Sequence, residues 1–268
     1  MDRDRTGRPK RDREPVYSLA VGVGRVFFGG VLRLRPTVSG AESLPATGAA
    51  VLAITHFGYM DFALVEWITW LRTRRRTRFM VTRRAADKPV VGWLLKQMRH
   101  IPVEIGAGRD AYADAVRALK EGELVGVFPE AGVSASFVVR ELKTGAVRMA
   151  ADAGVPVIPI VVWGGQLLKT KNHKSSFAEA FRAPIHVSVG APLPADSSDD
   201  PAEKTAELRS RLQALLDDAQ AAYPTSGTGK WWQPAHLGGA APTPAAAAAA
   251  EAERQRRKAA ARAEKTGT

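Results

Sequence analysis

The 268-residue sequence contains no cysteine. This absence excludes disulfide bonds, thiolate catalysis and zinc sites built on cysteine. Aromatic residues make up only 7% of the chain, whereas hydrophobic residues as a class make up 45% and charged residues 25%. That balance is typical of a globular protein, and the length is sufficient for one sizeable domain with additional tails.

The sequence also lacks a long hydrophobic run. No segment reaches the roughly 18 uncharged apolar residues needed to span a bilayer. The best candidate is residues 15–32, and Arg25 interrupts it. Acidic residues are mixed with arginines over residues 1–14, which argues against a signal peptide. We therefore expect a cytoplasmic protein.

Negative charge is scarce relative to positive charge. Lysine and arginine number 39 against 27 aspartate and glutamate residues, which gives a formal net charge of +12. Such an excess attracts polyanions, namely anionic lipid, nucleic acid or phosphorylated substrates, with a plain basic surface as the alternative. The basic residues show little aromatic interleaving and form no known nucleic-acid-binding motif, so we expect no nucleic-acid partner.

The two ends of the chain differ in composition from its middle. Residues 1–14 are polar and charged and are predicted to be disordered. Residues 15–36 are predicted to form an amphipathic, membrane-associating helix, with packing on its own domain as the alternative. Residues 225–268 are rich in Ala, Gly and Pro with a basic end and are predicted to be a flexible tail. Within this tail, Trp231 and Trp232 either dock on the domain or lie at a lipid interface.

Residues 37–224 alternate short apolar runs with helical stretches. Strands are predicted at residues 50–54, 78–82, 101–104, 124–128, 157–163 and 185–189. Helices are predicted at residues 62–71, 90–98, 110–120, 144–153 and 202–222. This alternation predicts an α/β fold with a mainly parallel or mixed central sheet, covered by helices on both faces and preceded by the N-terminal amphipathic helix.

Candidate catalytic residues are found in the segment that joins the first predicted strand, residues 50–54, to the first predicted helix, residues 62–71. His56 follows the apolar run, and Asp61 begins the helical pattern, with Gly58 between them. On one helix this spacing would set the two side chains about 140° apart, whereas a strand-to-helix turn can bring them together. A neutral imidazole accepts a proton from a hydroxyl, and a carboxylate on its other nitrogen fixes the tautomer and stabilises the imidazolium. His56 and Asp61 are therefore candidate catalytic residues.

Three further blocks follow in order. They are F-P-E-A-G-V-S at residues 128–134, L-K-T-G at residues 142–145 and V-P-V-I-P at residues 155–159. The first of them comes at the end of an apolar strand. Because the carboxyl ends of parallel strands converge on one crevice, we expect it to face the segment that contains His56.

Taken together, these blocks resemble the 1-acylglycerol-3-phosphate acyltransferases, lysophospholipid acyltransferases that share an H-x4-D signature. The resemblance covers residues 37–195 and points to a bacterial variant branch marked by F-P-E-A-G-V-S. It implies an O-acyltransferase that moves a fatty acyl chain from acyl-CoA or acyl carrier protein to the free hydroxyl of lysophosphatidic acid, giving phosphatidic acid. It implies His56 as the general base and Asp61 as its orienting partner, with no metal and no cofactor besides the acyl donor.

The resemblance also implies contacts to the acyl acceptor. Glu130 would help to hold the acceptor, and backbone N–H groups around Ala131 and Gly132 would stabilise the oxyanion. The candidate acceptor-binding residues are Glu130, Gly132, Ser134, Arg83, Arg84, Arg140 and Lys143.

Departures from the family pattern leave the identity of the acceptor open. Thr55 stands where the family usually has asparagine before the histidine. Ile105 and Val133 stand where the family usually has arginines for the acceptor phosphate, and Arg109 is one candidate to replace the first of these. The alternatives are therefore the same chemistry on another lysophospholipid or a glycolipid, or a non-catalytic basic protein that binds membrane or nucleic acid.

One run of cations also has two interpretations. It either binds anionic head groups or the phosphates of coenzyme A, or it is an exposed basic loop. Its members are Arg72, Arg74, Arg75, Arg76 and Arg78. We expect a lysophospholipid acceptor and an anionic membrane surface as partners, with a peripheral location on the cytoplasmic face of the plasma membrane. The other histidines, at positions 100, 173, 186 and 236, are interpreted as structural or solvated.

Overall fold

A computed structural model describes residues 14–104 and 108–266, and within them the chain forms seven strands and nine α-helices. The strands are β1 (Thr37–Ser39), β2 (Ala50–Ile54), β3 (Thr77–Thr82), β4 (Ile101–Val103), β5 (Leu124–Val127), β6 (Val157–Trp163) and β7 (His186–Val189). The helices are α1 (Pro15–Arg25), α2 (Asp61–Thr73), α3 (Arg83–Ala86), α4 (Pro89–Gln97), α5 (Arg109–Lys120), α6 (Gly145–Ala153), α7 (Phe177–Ala180), α8 (Pro201–Ala221) and α9 (Pro244–Thr266).

The strands form one sheet in the order β1-β7-β6-β2-β5-β3-β4. The five strands from β6 to β4 in this order are parallel, whereas β7 is antiparallel to β6 and β1 is parallel to β7. Every residue of β2, β5 and β6 is buried, which explains why these strands are continuous apolar runs without alternation. The predicted α/β fold with a mixed central sheet is confirmed.

Helices flank this sheet in two groups. Helix α6 contacts both α5 and α8, and the three helices pack on the sheet, α8 through the fully buried Leu208, Leu212 and Leu216. Helix α1 contacts α2 and α4, and α2 contacts β3 and β6. Strand β1 was not predicted, because its three residues are partly or largely exposed and carry no apolar run.

The N-terminal helix begins at Pro15 and continues from α1 into a π-helical segment, Val26–Val31. It ends before the predicted residue 36, and Arg33 adopts a left-handed φ of 53°. One face packs on the domain through Tyr17 and Phe28, which are buried. The other face is apolar and exposed to solvent. Its residues, each at least 45% exposed, are Leu19, Val23, Val26, Phe27 and Val31.

The boundary of the N-terminal charged segment needs correction at its last residue. Residues 1–13 lie outside the described residues, but Glu14 is buried. Its two carboxylate oxygens accept hydrogen bonds from the guanidinium of Arg78 at 2.7 and 2.6 Å. The ion pair with Arg78 holds Glu14 against the domain, although the composition of residues 1–14 predicts disorder.

The basic run at residues 72–78 is divided between structural and exposed positions. Arg78 is 4% exposed and bound to Glu14, and Arg75 donates to the carbonyl oxygens of Pro45 and Gly122. Arg76 donates to the hydroxyl of Ser18 in α1 at 3.1 Å. The side chains of residues 72 and 74 are exposed. Most of the run therefore holds the domain together.

The C-terminal segment, defined here as residues 225–266, differs from the expected flexible tail. Trp232 is only 6% exposed, and Trp231 donates its indole N–H to Glu179 at 3.0 Å. Both tryptophans therefore dock on the domain, which decides between the two alternatives. Helix α9 follows and is largely exposed, with an ion pair between Glu251 and Lys171. In residues 14–104 and 108–266, no helix combines the length and apolar character needed to cross a bilayer.

Candidate active site

The candidate site lies where three neighbouring parallel strands end. Strand β2 lies between β5 and β6 in the sheet. His56 follows β2, Glu130 follows β5 and Gly165 follows β6. Because parallel strands present their carboxyl ends at one edge of the sheet, the connections after these strands lie side by side. We call residues 55–60 the His56 loop and residues 128–134 the Glu130 loop.

Asp61 is the first residue of α2, and its side chain is completely buried. One carboxylate oxygen, Oδ2, accepts the backbone N–H groups of Phe57 at 2.9 Å and Gly58 at 2.7 Å. The same oxygen lies 3.5 Å from Nδ1 of His56. The strand-to-helix turn therefore brings His56 and Asp61 together, at a separation slightly beyond a normal hydrogen bond. Such contacts are often long in free enzymes and shorten when substrate binds.

The charge state of Asp61 is set by opposing effects. Burial raises the pKa of its carboxyl above the ordinary value, whereas the nearby His56 ring and the two backbone N–H groups oppose this shift. The position of Asp61 in the first helical turn also favours the ionised form. An ionised carboxylate beside Nδ1 is suited to hold the imidazole in one tautomer and to stabilise its protonated form.

Two glycines allow the backbone to approach Asp61 closely. A Cβ atom at Gly58 would lie 2.6 Å from the carbonyl oxygen of Gly165. A Cβ atom at Gly165 would collide with Oδ1 of Asp61. Sequence reasoning found Gly58 but missed Gly165. The available signal was that Gly165 follows a strand, β6, that ends at the same edge of the sheet as His56.

Glu130 lies between the two loops instead of facing an open space. It is 4% exposed, and its Oε1 accepts the backbone N–H of His56 at 3.1 Å while Oε2 accepts that of Arg140 at 3.3 Å. A second hydrogen bond joins the two loops, from the N–H of Ser134 to the carbonyl oxygen of His56 at 2.8 Å. Burial raises the pKa of Glu130 to about 7.

The other predicted residues of the Glu130 loop also have mainly internal contacts. Arg140 donates through Nη2 to the carbonyl oxygens of Glu130 at 2.6 Å and Gly132 at 3.3 Å. The hydroxyl of Ser134 is buried and donates to the carbonyl oxygen of Val138 at 2.9 Å. In this loop Ala131 has a left-handed φ of 53°, a backbone conformation that glycine adopts without cost.

The remaining predicted cations lie at the surface. Arg83 and Arg84 begin α3 directly after β3, and Arg83 lies 3.9 Å from Glu104 with more than half of its side chain exposed. The side chain of Lys143 is exposed, while its backbone N–H donates to Pro129. Arg109 is exposed at the start of α5. Residue 105 lies outside the described residues.

Further contacts support the His56 loop and were not predicted. The ring of Phe128 stacks on His56 with 4.1 Å between centroids. Thr170 donates its hydroxyl to the carbonyl oxygen of Phe57 at 2.6 Å, and the N–H of Tyr59 donates to the carbonyl oxygen of Lys169 at 2.8 Å. Among the residues that the structure describes, no group of three His, Asp or Glu side chains is arranged to hold a metal ion.

Comparison with known sequences identifies related proteins. The family model described as Acyltransferase matches residues 35–163. The chain is 29% identical over 175 residues to the 1-acyl-sn-glycerol-3-phosphate acyltransferase of Bacillus subtilis, a match that covers 65% of this chain and 84% of the relative. It is 28% identical over 138 residues to a chloroplastic 1-acyl-sn-glycerol-3-phosphate acyltransferase of Brassica napus, covering 50% of this chain and 39% of the plant protein.

A solved structure has the same fold. The crystal structure of the 1-acyl-sn-glycerophosphate acyltransferase from Thermotoga maritima superposes with a TM-score of 0.63. The superposition covers 80% of this chain and 86% of that chain, at 21% sequence identity. The structural similarity therefore covers more of this chain than the sequence match to the Bacillus subtilis protein does.

Proposed function

Because the chain belongs to the 1-acylglycerol-3-phosphate acyltransferase family and is an O-acyltransferase, we propose that it acylates the free hydroxyl of lysophosphatidic acid. The product is phosphatidic acid, formed for phospholipid biosynthesis, and the acyl donor is acyl-CoA or acyl carrier protein. The observation that carries this proposal is the position of His56, 3.5 Å from the buried Asp61 at the carboxyl end of the central strand β2.

The proposed chemistry uses His56 as the general base. Since Nδ1 is turned toward Asp61, Nε2 is the nitrogen available to the substrate. It takes the proton of the acceptor hydroxyl while the hydroxyl oxygen attacks the thioester carbonyl. The tetrahedral intermediate then collapses to the ester, and the departing thiolate recovers the proton from the imidazolium. Asp61 stabilises the imidazolium and keeps its own charge throughout.

A backbone donor for the oxyanion is available in the Glu130 loop. The N–H of Ala131 donates to the carbonyl oxygen of Phe128 at 3.1 Å and is therefore engaged. Within the described residues, the N–H of Gly132 has no protein acceptor. We assign Gly132 as the donor to the negative charge that develops on the thioester oxygen.

For the acceptor phosphate, we assign the exposed cations Arg83, Arg84 and Lys143, whose side chains are free to reorient toward an anion. Arg140 contributes by holding the Glu130 loop. One observation favours a second candidate function, transfer to another lysophospholipid or to a glycolipid. Val133, which replaces a family arginine, is 6% exposed and brings no charge to the site.

We propose that the enzyme acts while bound to the cytoplasmic face of the plasma membrane. The outward face of the N-terminal helix is apolar, with Leu19 67% exposed and Val23 60% exposed. Helix α4 adds Val90 and Trp93, 78% and 56% exposed, close in sequence to the arginines of α3. An apolar face bordered by cations fits the interface of an anionic bilayer.

An acyl-transfer assay tests the proposal. Purified full-length protein is incubated with radiolabelled acyl-CoA or acyl carrier protein and a panel of lysophospholipids and glycolipids. The wild type is expected to acylate lysophosphatidic acid, and His56→Ala is expected to lower kcat by about 10²–10⁴-fold. The matched control is Lys120→Ala, because that side chain is exposed at the end of α5, which precedes β5 and so lies toward the edge of the sheet opposite the His56 loop.

The possible results have distinct meanings. Transfer only to a different lysophospholipid or to a glycolipid would replace lysophosphatidic acid as the acceptor and keep the chemistry. Undiminished transfer by folded His56→Ala would overturn the assignment of the general base. Absence of transfer to every acceptor from both donors would contradict the proposed function.

A further inference from the structure

Phe57 links the two members of the candidate catalytic pair. It directly follows His56, and its backbone N–H donates to Asp61 at 2.9 Å. Its side chain is completely buried and meets the rings of Trp163 at 5.9 Å and Phe137 at 6.4 Å, both edge-on. The position of the Phe57 ring therefore affects the His56–Asp61 distance directly.

The two rings that contact Phe57 are in turn contacted by the C-terminal segment. Trp231 meets Phe137 with 6.1 Å between ring centroids, and Trp232 meets Trp163 at 6.4 Å. Trp231 is held firmly in this place. It stacks on His173 at a centroid distance of 3.6 Å, in addition to donating its indole N–H to Glu179.

A second set of contacts runs from α9 to the other side of the His56 loop. Glu251 of α9 forms an ion pair with Lys171, and Arg254 donates to the same carboxylate at 2.6 Å. Lys171 directly follows Thr170, whose hydroxyl donates to the carbonyl oxygen of Phe57. The C-terminal segment thus reaches the ring of Phe57 through Phe137 and Trp163, and its backbone through Lys171 and Thr170.

We propose that the C-terminal segment is an intramolecular brace that positions the His56 loop for acyl transfer, with Trp231 and Trp232 as positioning residues. The role of the brace rests on the proposed function of His56. The segment lies outside the region matched by the family model, which ends at Trp163. Acyl transfer therefore depends, in this proposal, on a segment that the family motifs do not include.

The physical reason is the sensitivity of proton transfer to geometry. A misplacement of about 1 Å in a catalytic group can lower the rate by about 100-fold. The Nδ1–Oδ2 separation of 3.5 Å has little tolerance for a further increase. Loss of Trp231 leaves a space beside Phe137. As Phe137 relaxes into that space, the Phe57 ring that contacts Phe137 can follow, together with the backbone attached to it.

The test compares Trp231→Ala, Trp231→Phe and Lys171→Met with a control, Leu119→Ala. Leu119 is buried near the carboxyl end of α5, which precedes β5, and so lies toward the edge of the sheet opposite His56. The full-length variants are compared for melting temperature, for kcat and KM against pH, and for amide hydrogen exchange of residues 56–61.

We expect Trp231→Ala to lower kcat by about 10-fold to 100-fold with little change in KM, and to shift the acidic limb of the kcat profile. Trp231→Phe is expected to restore most of the rate, because it keeps an aromatic ring against Phe137. Lys171→Met, which removes no ring, is expected to give a smaller effect in the same direction. Leu119→Ala is expected to lower the melting temperature and leave kcat and the pH profile unchanged.

The hydrogen-exchange measurement separates failure of this inference from failure of the proposed function. Faster exchange at residues 56–61 in Trp231→Ala, but not in Leu119→Ala, would support the brace even in a protein that transferred no acyl group. Equal losses of melting temperature without any change in kcat, pH profile or exchange would overturn it. Should Trp231→Ala not fold, Lys171→Met decides instead, and wild-type kcat with wild-type exchange at residues 56–61 in that variant would overturn the proposal equally.

Discussion

The backbone N–H of His56 donates to Oε1 of Glu130 at 3.1 Å, so the glutamate of one loop holds the peptide group of the candidate general base in the other. The second carboxylate oxygen accepts the N–H of Arg140 at 3.3 Å. The family resemblance implies that Glu130 contacts the acyl acceptor. In this structure both of its oxygens are occupied by backbone donors, which indicates a role in fixing the two loops relative to each other.

We predict that Glu130→Gln destabilises the protein and lowers kcat. Glutamine keeps one acceptor oxygen, so one of the two N–H groups loses its partner. At pH 8.5, above the pKa of about 7 of Glu130, the lost hydrogen bond is one to a charged carboxylate, which contributes about 1.5–3 kcal/mol. Urea unfolding and steady-state kinetics measure the two effects. Glu141→Gln is the control, because the side chain of Glu141 is 95% exposed. Wild-type stability with a raised KM for the acceptor would instead indicate that Glu130 binds the acceptor directly.

A second prediction concerns the pH dependence of stability. Burial raises the pKa of Glu66 to about 8 from 4.5, and its Oε2 accepts the backbone N–H of Thr77 at 3.0 Å. Between these two values the unfolded chain ionises Glu66 while the folded chain keeps the proton. The contribution of Glu66 is therefore fully present below pH 4.5 and is lost as the pH rises toward 8.

Glu66→Gln keeps an acceptor oxygen for Thr77 and removes the titration. Urea unfolding at pH 5 and at pH 8.5 should show a smaller loss of stability in this variant than in the wild type, by a few kcal/mol as an order of magnitude. Glu130 titrates in the same direction, since burial raises its pKa to about 7, and it is unchanged in both proteins. The exposed Glu42→Gln should behave like the wild type. Identical pH dependence of Glu66→Gln and the wild type would refute the prediction.

Features set by residues that are neighbours in the sequence could be predicted, whereas features set by contacts between distant residues could not. The His56 turn and the strands β2 and β6 were predictable, because uninterrupted apolar runs identify strands buried on both faces. The docking of Trp232 was not, because it depends on Trp163, which is distant in the sequence. Gly165 was missed for a similar reason, since its partner Asp61 becomes a neighbour only when β2 and β6 pair.

The functions of charged residues were the least predictable. Arg78 and Arg74 belong to the same basic run, yet one is buried against Glu14 and the other is exposed. The sequence pattern cannot distinguish them, because the acidic partner is supplied by a segment far along the chain. The same reasoning applies to Arg140, whose partners are backbone carbonyl oxygens that carry no sequence signature.

A third prediction tests the membrane face of the N-terminal helix. Leu19 and Val23 are one helical turn apart and largely exposed, so replacing both with serine should leave the packed face of the helix intact. Burial of one such side chain contributes about 1.5–3 kcal/mol, so sedimentation with anionic liposomes should weaken at least tenfold.

Leu237→Ser is the matched control, because Leu237 is an exposed apolar residue in the C-terminal segment. Its binding to liposomes should equal that of the wild type, and circular dichroism should show that all variants keep their helices. Undiminished binding of the double variant would move the membrane contact away from this face, to exposed cations such as Arg72 or to α9.

The last prediction uses the close approach of Gly165 to Asp61. In Gly165→Ala the added Cβ collides with Oδ1 of Asp61, so the carboxylate must move relative to His56. Since a displacement of about 1 Å can lower the rate by about 100-fold, we expect a loss of kcat of that order, with a lower melting temperature.

Gly22→Ala is the control, because nothing lies within 4 Å of a Cβ at that helical position. Alanine there should stabilise the helix by up to about 1 kcal/mol and leave kcat unchanged. A fully active Gly165→Ala enzyme would show that Asp61 does not have to remain where it is, beside Nδ1 of His56.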